Sequence, residues 1–170
     1  MNNAALALDR PLLRTRSYQY APPGQLPRDL AELSGLALMQ RLIAGALPPP
    51  SIASTLDFAL VEVAEGFAAF EGTPAEWMYN PLGTVHGGWM ATLLDSALGC
   101  AVHTTLAPGR GYTTASLEIK FIRPVSAATG RVRAEGRVVH AGNRTATADA
   151  KLLGPDGKLL AHATTTCVIL

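Results

Sequence analysis

Residues 80–95 read NPLGTVHGGWMATLLD, and two kinds of residue in that run could act together on one reacting group. Gly87 and Gly88 stand where a helix-periodic segment begins. There the first backbone N–H groups lack intrahelical partners and the helix dipole presents its positive end, which suits a carbonyl oxygen gaining negative charge. Glycine lets such a carbonyl approach the backbone closely, although a Gly-Gly pair equally serves a tight turn into a helix. Asp95 has Ala91, Leu98 and Gly99 as its i−4, i+3 and i+4 neighbours and no cation within a helical turn. A carboxylate in such apolar surroundings is costly, so Asp95 is either a base or nucleophile or the partner of an arginine from another element. The eight residues from Gly87 to Asp95 span ~12 Å at about 1.5 Å per residue. A base or nucleophile works within about 3 Å of its target. If both groups serve one carbonyl, the acid must therefore come from a second copy of the chain.

Positioning such residues requires a helix and something to bury it. From Gly88 to Thr105, residues Met90, Leu93, Leu94, Ala97, Leu98, Ala101 and Val102 recur at i, i+3, i+4 and i+7, which predicts a helix. Its other faces carry Ala91, Thr92, Ser96, Gly99 and Cys100, so the helix is apolar or small nearly all round and belongs inside protein. A first helix is expected from Asp29 to Ile43, with Gly35 allowing a split into two and Gly45 with Pro48-Pro49-Pro50 ending it. Leu56 to Val63 and Phe67 to Glu71 read as a strand pair turning at Glu65-Gly66. After Pro108-Gly109, strands are expected at Tyr112 to Ile122, Gly130 to His140, Thr145 to Leu153 and Leu159 to Ile169, the last three as an antiparallel meander. Two strands, a buried helix and four strands give an α+β fold: a curved antiparallel sheet wrapped around one long central helix. Residues 1–26 read as a mobile or loosely docked arm. Residues 1–50 are thus an N-terminal arm and helical extension, and 51–170 the main domain.

The 170 residues are 48% apolar and 16% charged, as in an ordinary globular domain. Cys100 and Cys167 lie in apolar runs and suit buried thiols better than a disulfide framework. No apolar stretch reaches the ~20 residues that span a bilayer, and the N-terminus lacks the order of a signal peptide, so a cytoplasmic protein without membrane partners is expected. Residues 1–109 carry five Lys/Arg against nine Asp/Glu, and residues 110–170 carry nine against four. The basic half suits an anionic small ligand, while an aromatic content of 6% argues against nucleic acid. There is no G-x-S-x-G elbow, no C-x-x-C or H-E-x-x-H, and no phosphate-binding or dinucleotide fingerprint; His103, His140 and His162 are far apart.

The chain resembles the hotdog-fold acyl-CoA thioesterases of the phenylacetate-pathway (PaaI-like) type. The resemblance covers roughly Leu56 to Leu170 and rests on Asn80, Gly83-Thr84-Val85-His86-Gly87-Gly88, Asp95, Thr113-Thr114, the FIRP at 121–124 and Gly142-Asn143-Arg144. It implies a hotdog fold, hydrolysis of acyl-CoA thioesters without a metal or redox cofactor, and a homodimer or dimer of dimers (homotetramer) with its active site shared between protomers. It makes Asp95 the base or nucleophile, Gly87 the oxyanion donor and Gly88, next on the helix, a substrate-binding residue. Asn80 then positions the carbonyl or the water, His86 stands beside the site, and Thr114 orients the attacking water. Arg123 with Pro124, and Asn143 with Arg144, match loops that contact the nucleotide end of CoA.

Each role has a local alternative. His86 can satisfy a backbone carbonyl, Thr114 sits where threonine is common, and Arg144 follows a turn and can be a solvated charge. Trp77, Met78, Tyr79, Trp89 and Met90 are candidates to line an apolar pocket for an aromatic or medium-chain acyl group. Two rival functions share the fold: an acyl-CoA-binding hotdog protein without turnover, and a hotdog enoyl-CoA hydratase or dehydratase. A lone acid paired with a helix start argues against the first. The second typically pairs a His with an Asp or Glu in a different motif.

Overall fold

The computed structural model describes residues 12–22, 30 and 32–170. Helix α1 (Gly35–Ile43) begins where Ser34 Oγ accepts from the Ala37 amide at 3.3 Å, and Gly45, with φ +71°, follows its end. The expected start of this helix at Asp29 lies outside the described residues. Gly35 does not split the helix but opens it. It is buried so tightly that a Cβ there would overlap the His103 carbonyl.

A short helix α2 (Ser51–Leu56) follows the proline run, with Pro50 at its N-cap, and Asp57 closes it in a left-handed conformation at φ 58°. Leu56 therefore ends a helix instead of starting a strand. Strands β1 (Phe58–Ala64) and β2 (Phe67–Gly72) form the expected hairpin around Gly66. The long helix α3 (Gly87–His103) comes next, then β3 (Tyr112–Phe121), β4 (Val132–Ala141), β5 (Thr145–Leu153) and β6 (Leu159–Ile169). β4 starts two residues after the expected Gly130, whose φ of +79° belongs to the turn and not to a strand.

The six strands make one antiparallel sheet in the order β1-β2-β4-β5-β6-β3, and it curls around α3. The meander β4-β5-β6 is as expected, while β3 crosses over to pair with β6 at the far edge. Leu93, Leu94, Leu98 and Val102 of α3 are completely buried, each stabilising the fold by about 1.5–3 kcal/mol. The inner face of the sheet facing them is built of small residues: Ala134, Ala146, Ala148, Ala150, Ala161 and Ala163 are all buried. Alternate positions carry Arg133, Glu135, Thr147, Asp149, Thr164 and Thr166 to the outer face, the period of two expected of strands covered on one side. Small inner residues bring the sheet close to the helix, and at Gly136 the approach is closest. A Cβ there would stand 2.3 Å from the Ala97 carbonyl oxygen. Among the described residues, no helix is long and apolar enough to cross a membrane.

Because the obstacle at Gly136 is helix backbone, it cannot step aside. Gly136→Val is expected to destabilise the protein by about 3 kcal/mol, read as a lower midpoint in denaturant unfolding. An unchanged midpoint would mean that α3 does not seat on β4 as described.

Candidate active site

The loop before α3 is held by its own polar groups. Asn80 Oδ1 accepts from the amides of Leu82 (2.9 Å) and Thr84 (3.3 Å), and Asn80 Nδ2 donates to Thr84 Oγ1 (2.9 Å). This closes a turn over 80–84 in which Gly83 takes φ +81°. The Val85 amide then bonds the Val125 carbonyl and the His86 amide the Met78 carbonyl, both at 2.8 Å, so the chain enters the helix along a fixed line. His86 is the N-cap, and its Nδ1 accepts from the Gly88 amide at 2.8 Å. It thus takes a backbone N–H and not a carbonyl. In the neutral ring this leaves the proton on Nε2.

One amide in this arrangement is left over. The Gly87 N–H has no acceptor among the described residues, and Gly87 borders a cavity of about 370 Å³ with Asn80, Met90, Phe121, Arg123 and Pro124. The Phe121 ring stands over it, 3.0 Å from where a Cβ would lie, so only glycine fits without moving that ring. On the other side of the helix start, His86 and Gly88 border a second cavity of about 410 Å³ with Leu56, Trp77, Met78 and Trp89. Four of the five residues expected to form an apolar pocket meet there: Trp77, Met78, Tyr79 and Trp89. Met90 faces the first cavity instead.

Asp95 lies two turns further along α3, half-buried, and accepts a hydrogen bond at 3.0 Å from Thr114 Oγ1 on β3. Among the described residues no lysine, arginine or histidine pairs with it. Its partner is a hydroxyl and not the arginine that the sequence left open. A β-bulge follows directly, between Thr114 and Ser116, which fits the use of bulges to aim a side chain out of regular register. Tyr112, Cys100 and Cys167 surround this carboxylate. Burial, and after it the Asp95 charge, push the Cys100 thiol up to about 12. Burial likewise raises the Tyr112 hydroxyl and the Cys167 thiol. Gly99 makes room for Tyr112, since a Cβ there would sit 2.4 Å from the phenolic oxygen. Tyr112 and Cys167 carry no local signal that ties them to Asp95; only the pairing of Thr114 with Cys167 brings them to it.

The remaining residues separate along β3. Arg123 and Pro124 share the cavity of Gly87 at the Phe121 end, where Arg123 donates to the Leu159 carbonyl. Asn143 and Arg144 form the β4–β5 turn at the opposite, Tyr112 end, because Thr145 pairs with Val168 and Tyr112 with Ile169. Arg110 fixes that turn, donating to the carbonyls of Leu170 (2.8 Å) and Asn143 (3.2 Å). Within one chain, then, Gly87, Gly88, His86, Asn80, Arg123 and Pro124 gather at one end of β3, and Asp95, Thr114, Asn143 and Arg144 at the other.

Comparison with known proteins bears on what such an arrangement belongs to. Residues 82–161 match the family model of the thioesterase superfamily. The structure of a phenylacetic acid degradation-related protein from Ralstonia eutropha, described as a thioesterase, is 31% identical and superposes with a TM-score of 0.69 over 76% of this chain and 98% of that one. The chain belongs to the hotdog thioesterase superfamily, in its PaaI-like branch. A conserved protein from Pseudomonas aeruginosa is 30% identical, with a TM-score of 0.67 over 72% of this chain and 95% of its own. The E. coli PaaI protein of the phenylacetic acid degradation operon, 23% identical, shares the fold with a TM-score of 0.71 over 81% of this chain and 96% of that one. Among curated proteins, none matches the chain.

Beside Asp95 the hotdog core buries the Cys167 thiol fully and leaves Cys100 half-buried. With burial pushing the Cys100 thiol up to about 12, very little of it is thiolate at pH 8. Neither Cys100 nor Cys167 is expected to react with a chromogenic disulfide in the native protein, and both should react once denaturant is added. Rapid colour from the folded protein would mean that the surroundings of Asp95 are open.

Proposed function

We propose that the protein hydrolyses acyl-CoA thioesters to the free acid and CoA, as a dimer whose two sites each draw on both protomers. The observation that carries this reading is the division of α3 described above: a helix-start amide without an acceptor at one end of β3, and an acid without a cation at the other. β3 is the edge strand of the sheet, ten residues long, with Leu117 and Phe121 36% and 52% exposed. Such an edge invites pairing with another strand. An antiparallel pairing of β3 with its copy, centred near Leu117 and Glu118, would bring Asp95 and Thr114 of one protomer opposite Gly87 and Phe121 of the other. The ~12 Å between the two groups on one helix then becomes the spacing of two half-sites instead of an obstacle.

In this reading the thioester carbonyl oxygen receives the Gly87 N–H at the positive end of the helix, and Asn80 and His86 hold the loop that aims that amide. Asp95 of the partner subunit, oriented by the Thr114 hydroxyl, delivers water to the carbonyl carbon. As a base it takes the proton while the water oxygen forms the new C–O bond. As a nucleophile it forms an anhydride that water then opens. In both routes the C–S bond breaks, CoA leaves as the thiolate and takes up a proton, and the acyl group leaves as the acid. Arg123 with Pro124, and Asn143 with Arg144, supply contacts for the nucleotide end. An acyl group of aromatic or medium-chain size suits the apolar cavity between Trp77 and Trp89.

Asp95→Asn is expected to keep fold and assembly and to lower kcat by at least ~100-fold; near-full turnover by the folded variant would remove Asp95 from the chemistry. Thr114→Val should lower kcat by about tenfold and Thr114→Ser restore most of it, because only the hydroxyl is needed to orient the acid.

Mixing variants tests the shared site. Gly87→Pro deletes the amide at a position where a helix accepts proline and also displaces the Phe121 ring that stands over it, so its fold and dimerisation are checked by circular dichroism and native mass spectrometry. Mixed with Asp95→Asn, about half of randomly reassorted dimers are mixed, each with one intact site, so activity should return to about one quarter of wild type. Mixed dimers that form, by mass spectrometry of tagged chains, and remain inactive would overturn the sharing.

A further inference from the structure

Residues 12–22 run without regular structure along α2 and the turn at Glu76–Met78, and three contacts hold them there. Arg14 pairs with Glu76, Arg16 Nη1 donates to the Thr55 carbonyl at 2.8 Å, and Ser51 Oγ donates to the Ala21 carbonyl at 3.1 Å. Between them the Arg16 guanidinium lies 3.8 Å from the centroid of the Trp77 ring and 4.8 Å from that of Tyr18. The arm thereby adds Arg16 to the wall of the cavity of about 410 Å³ beside the start of α3.

Arg16 is out of keeping with the rest of that wall. Leu56, Trp77, Met78 and Trp89 make it mainly apolar, and Arg16 is a half-buried residue among them. Of its five N–H donors, one is given to Thr55, and among the described residues no carboxylate pairs with it. Arg14, two residues away and far more exposed, has Glu76. Stacking on Trp77 offsets part of the lost hydration, but among the described residues the guanidinium has one acceptor, the Thr55 carbonyl, for its fork of donors. Thr55 and Tyr79 add hydroxyls to the wall, His86 turns its Nε2, a donor while Nδ1 accepts from Gly88, and the positive end of the α3 dipole lies beside them. Apolar walls with donors and no acid complement a guest that has an apolar body and an anionic end.

We infer that this cavity takes the acyl group and that Arg16 makes it selective for acyl chains ending in a carboxylate, the monothioesters of dicarboxylic acids. The inference rests on the thioesterase reading of the site. The anion that Arg16 meets is the distal carboxylate and not a CoA phosphate, because a phosphate would have to enter between indole and thioether side chains. Arg123, Arg110 and Arg144 offer cations in more open surroundings elsewhere on the protein.

The test uses the full chain and two acyl groups of equal length, adipoyl and hexanoyl, each as a thioester of CoA and of N-acetylcysteamine, which lacks the nucleotide. Wild type should favour adipoyl on both carriers. Arg16→Met should lower the adipoyl-to-hexanoyl ratio of kcat/KM by at least ~10-fold on both carriers, mainly through KM, and Arg16→Lys should recover part of it. An unchanged ratio overturns the inference. So does a loss that is equal for both acyl groups on CoA and absent on N-acetylcysteamine, which would make Arg16 a phosphate contact. If wild type cleaves none of the four, the thioesterase reading fails by itself. Calorimetric binding of the corresponding thioethers, carboxylate-ended against methyl-ended, then decides on Arg16 alone. Preference for the carboxylate that Arg16→Met abolishes supports the subsite, and equal binding ends it.

Discussion

The structure depends on how closely α3 can seat against the sheet. A helix that is small or apolar on nearly every face has to be enclosed, and a six-stranded sheet encloses it only if its inner residues leave room. The alanines of β4, β5 and β6 supply that room, and Gly136 lets strand backbone reach helix backbone at Ala97. Once α3 is fixed there, its start, its middle and the strand beside it have no freedom to drift. The helix then acts as a rigid ruler, with the Gly87 amide at one mark and the Asp95 carboxylate two turns on.

What surrounds each mark follows from local chemistry. At the helix start, Asn80 ties off its own turn, His86 occupies the Gly88 amide, and the loop amides before them are matched to carbonyls. Every donor near Gly87 that has a partner leaves Gly87 more clearly the one without. At the other mark a hydroxyl holds the acid, and thiols too hard to ionise fill the space behind it. Neither arrangement needs a counter-ion, which keeps the acid available and the helix start positive. The sheet joins them through β3, whose two ends reach both.

Much of this was legible from the residues. α3 and the strands of the meander announce themselves because their periodicity is local and long, and the 80–95 run fixes which helix carries the acid. Other features were out of reach for stated reasons. Ser51–Leu56 is too short to display a helical period, and Leu56 reads as strand until Asp57 turns left-handed to end α2. The resemblance gave Thr114 a role toward the attacking water, but its hydrogen bond to Asp95 was not foreseen, since the partners are 19 residues apart and meet through sheet register and a bulge. Asn80 was expected beside the reacting group; its side chain is engaged in the turn, which no spacing rule foretells. Arg16 lay in a segment read as a loosely docked arm, because a stack on Trp77 is tertiary and leaves no pattern in a polar stretch.

The open edge at β3 also has a meaning for the life of the single chain. Its sequence from Leu117 to Phe121 alternates apolar and charged residues, so that Leu117, Ile119 and Phe121 share a side while Glu118 and Lys120 pair at 2.6 Å on the other. A freshly folded chain carries this strand uncovered, and any other extended segment in a crowded cell is a competitor for its free amides and carbonyls. The Glu118–Lys120 pair acts as a gatekeeper, since a wrong strand laid across it must accommodate both charges. Solubility during biosynthesis and the pairing proposed for β3 thus make opposing demands on the same ten residues, and the alternation along β3 is the compromise between them.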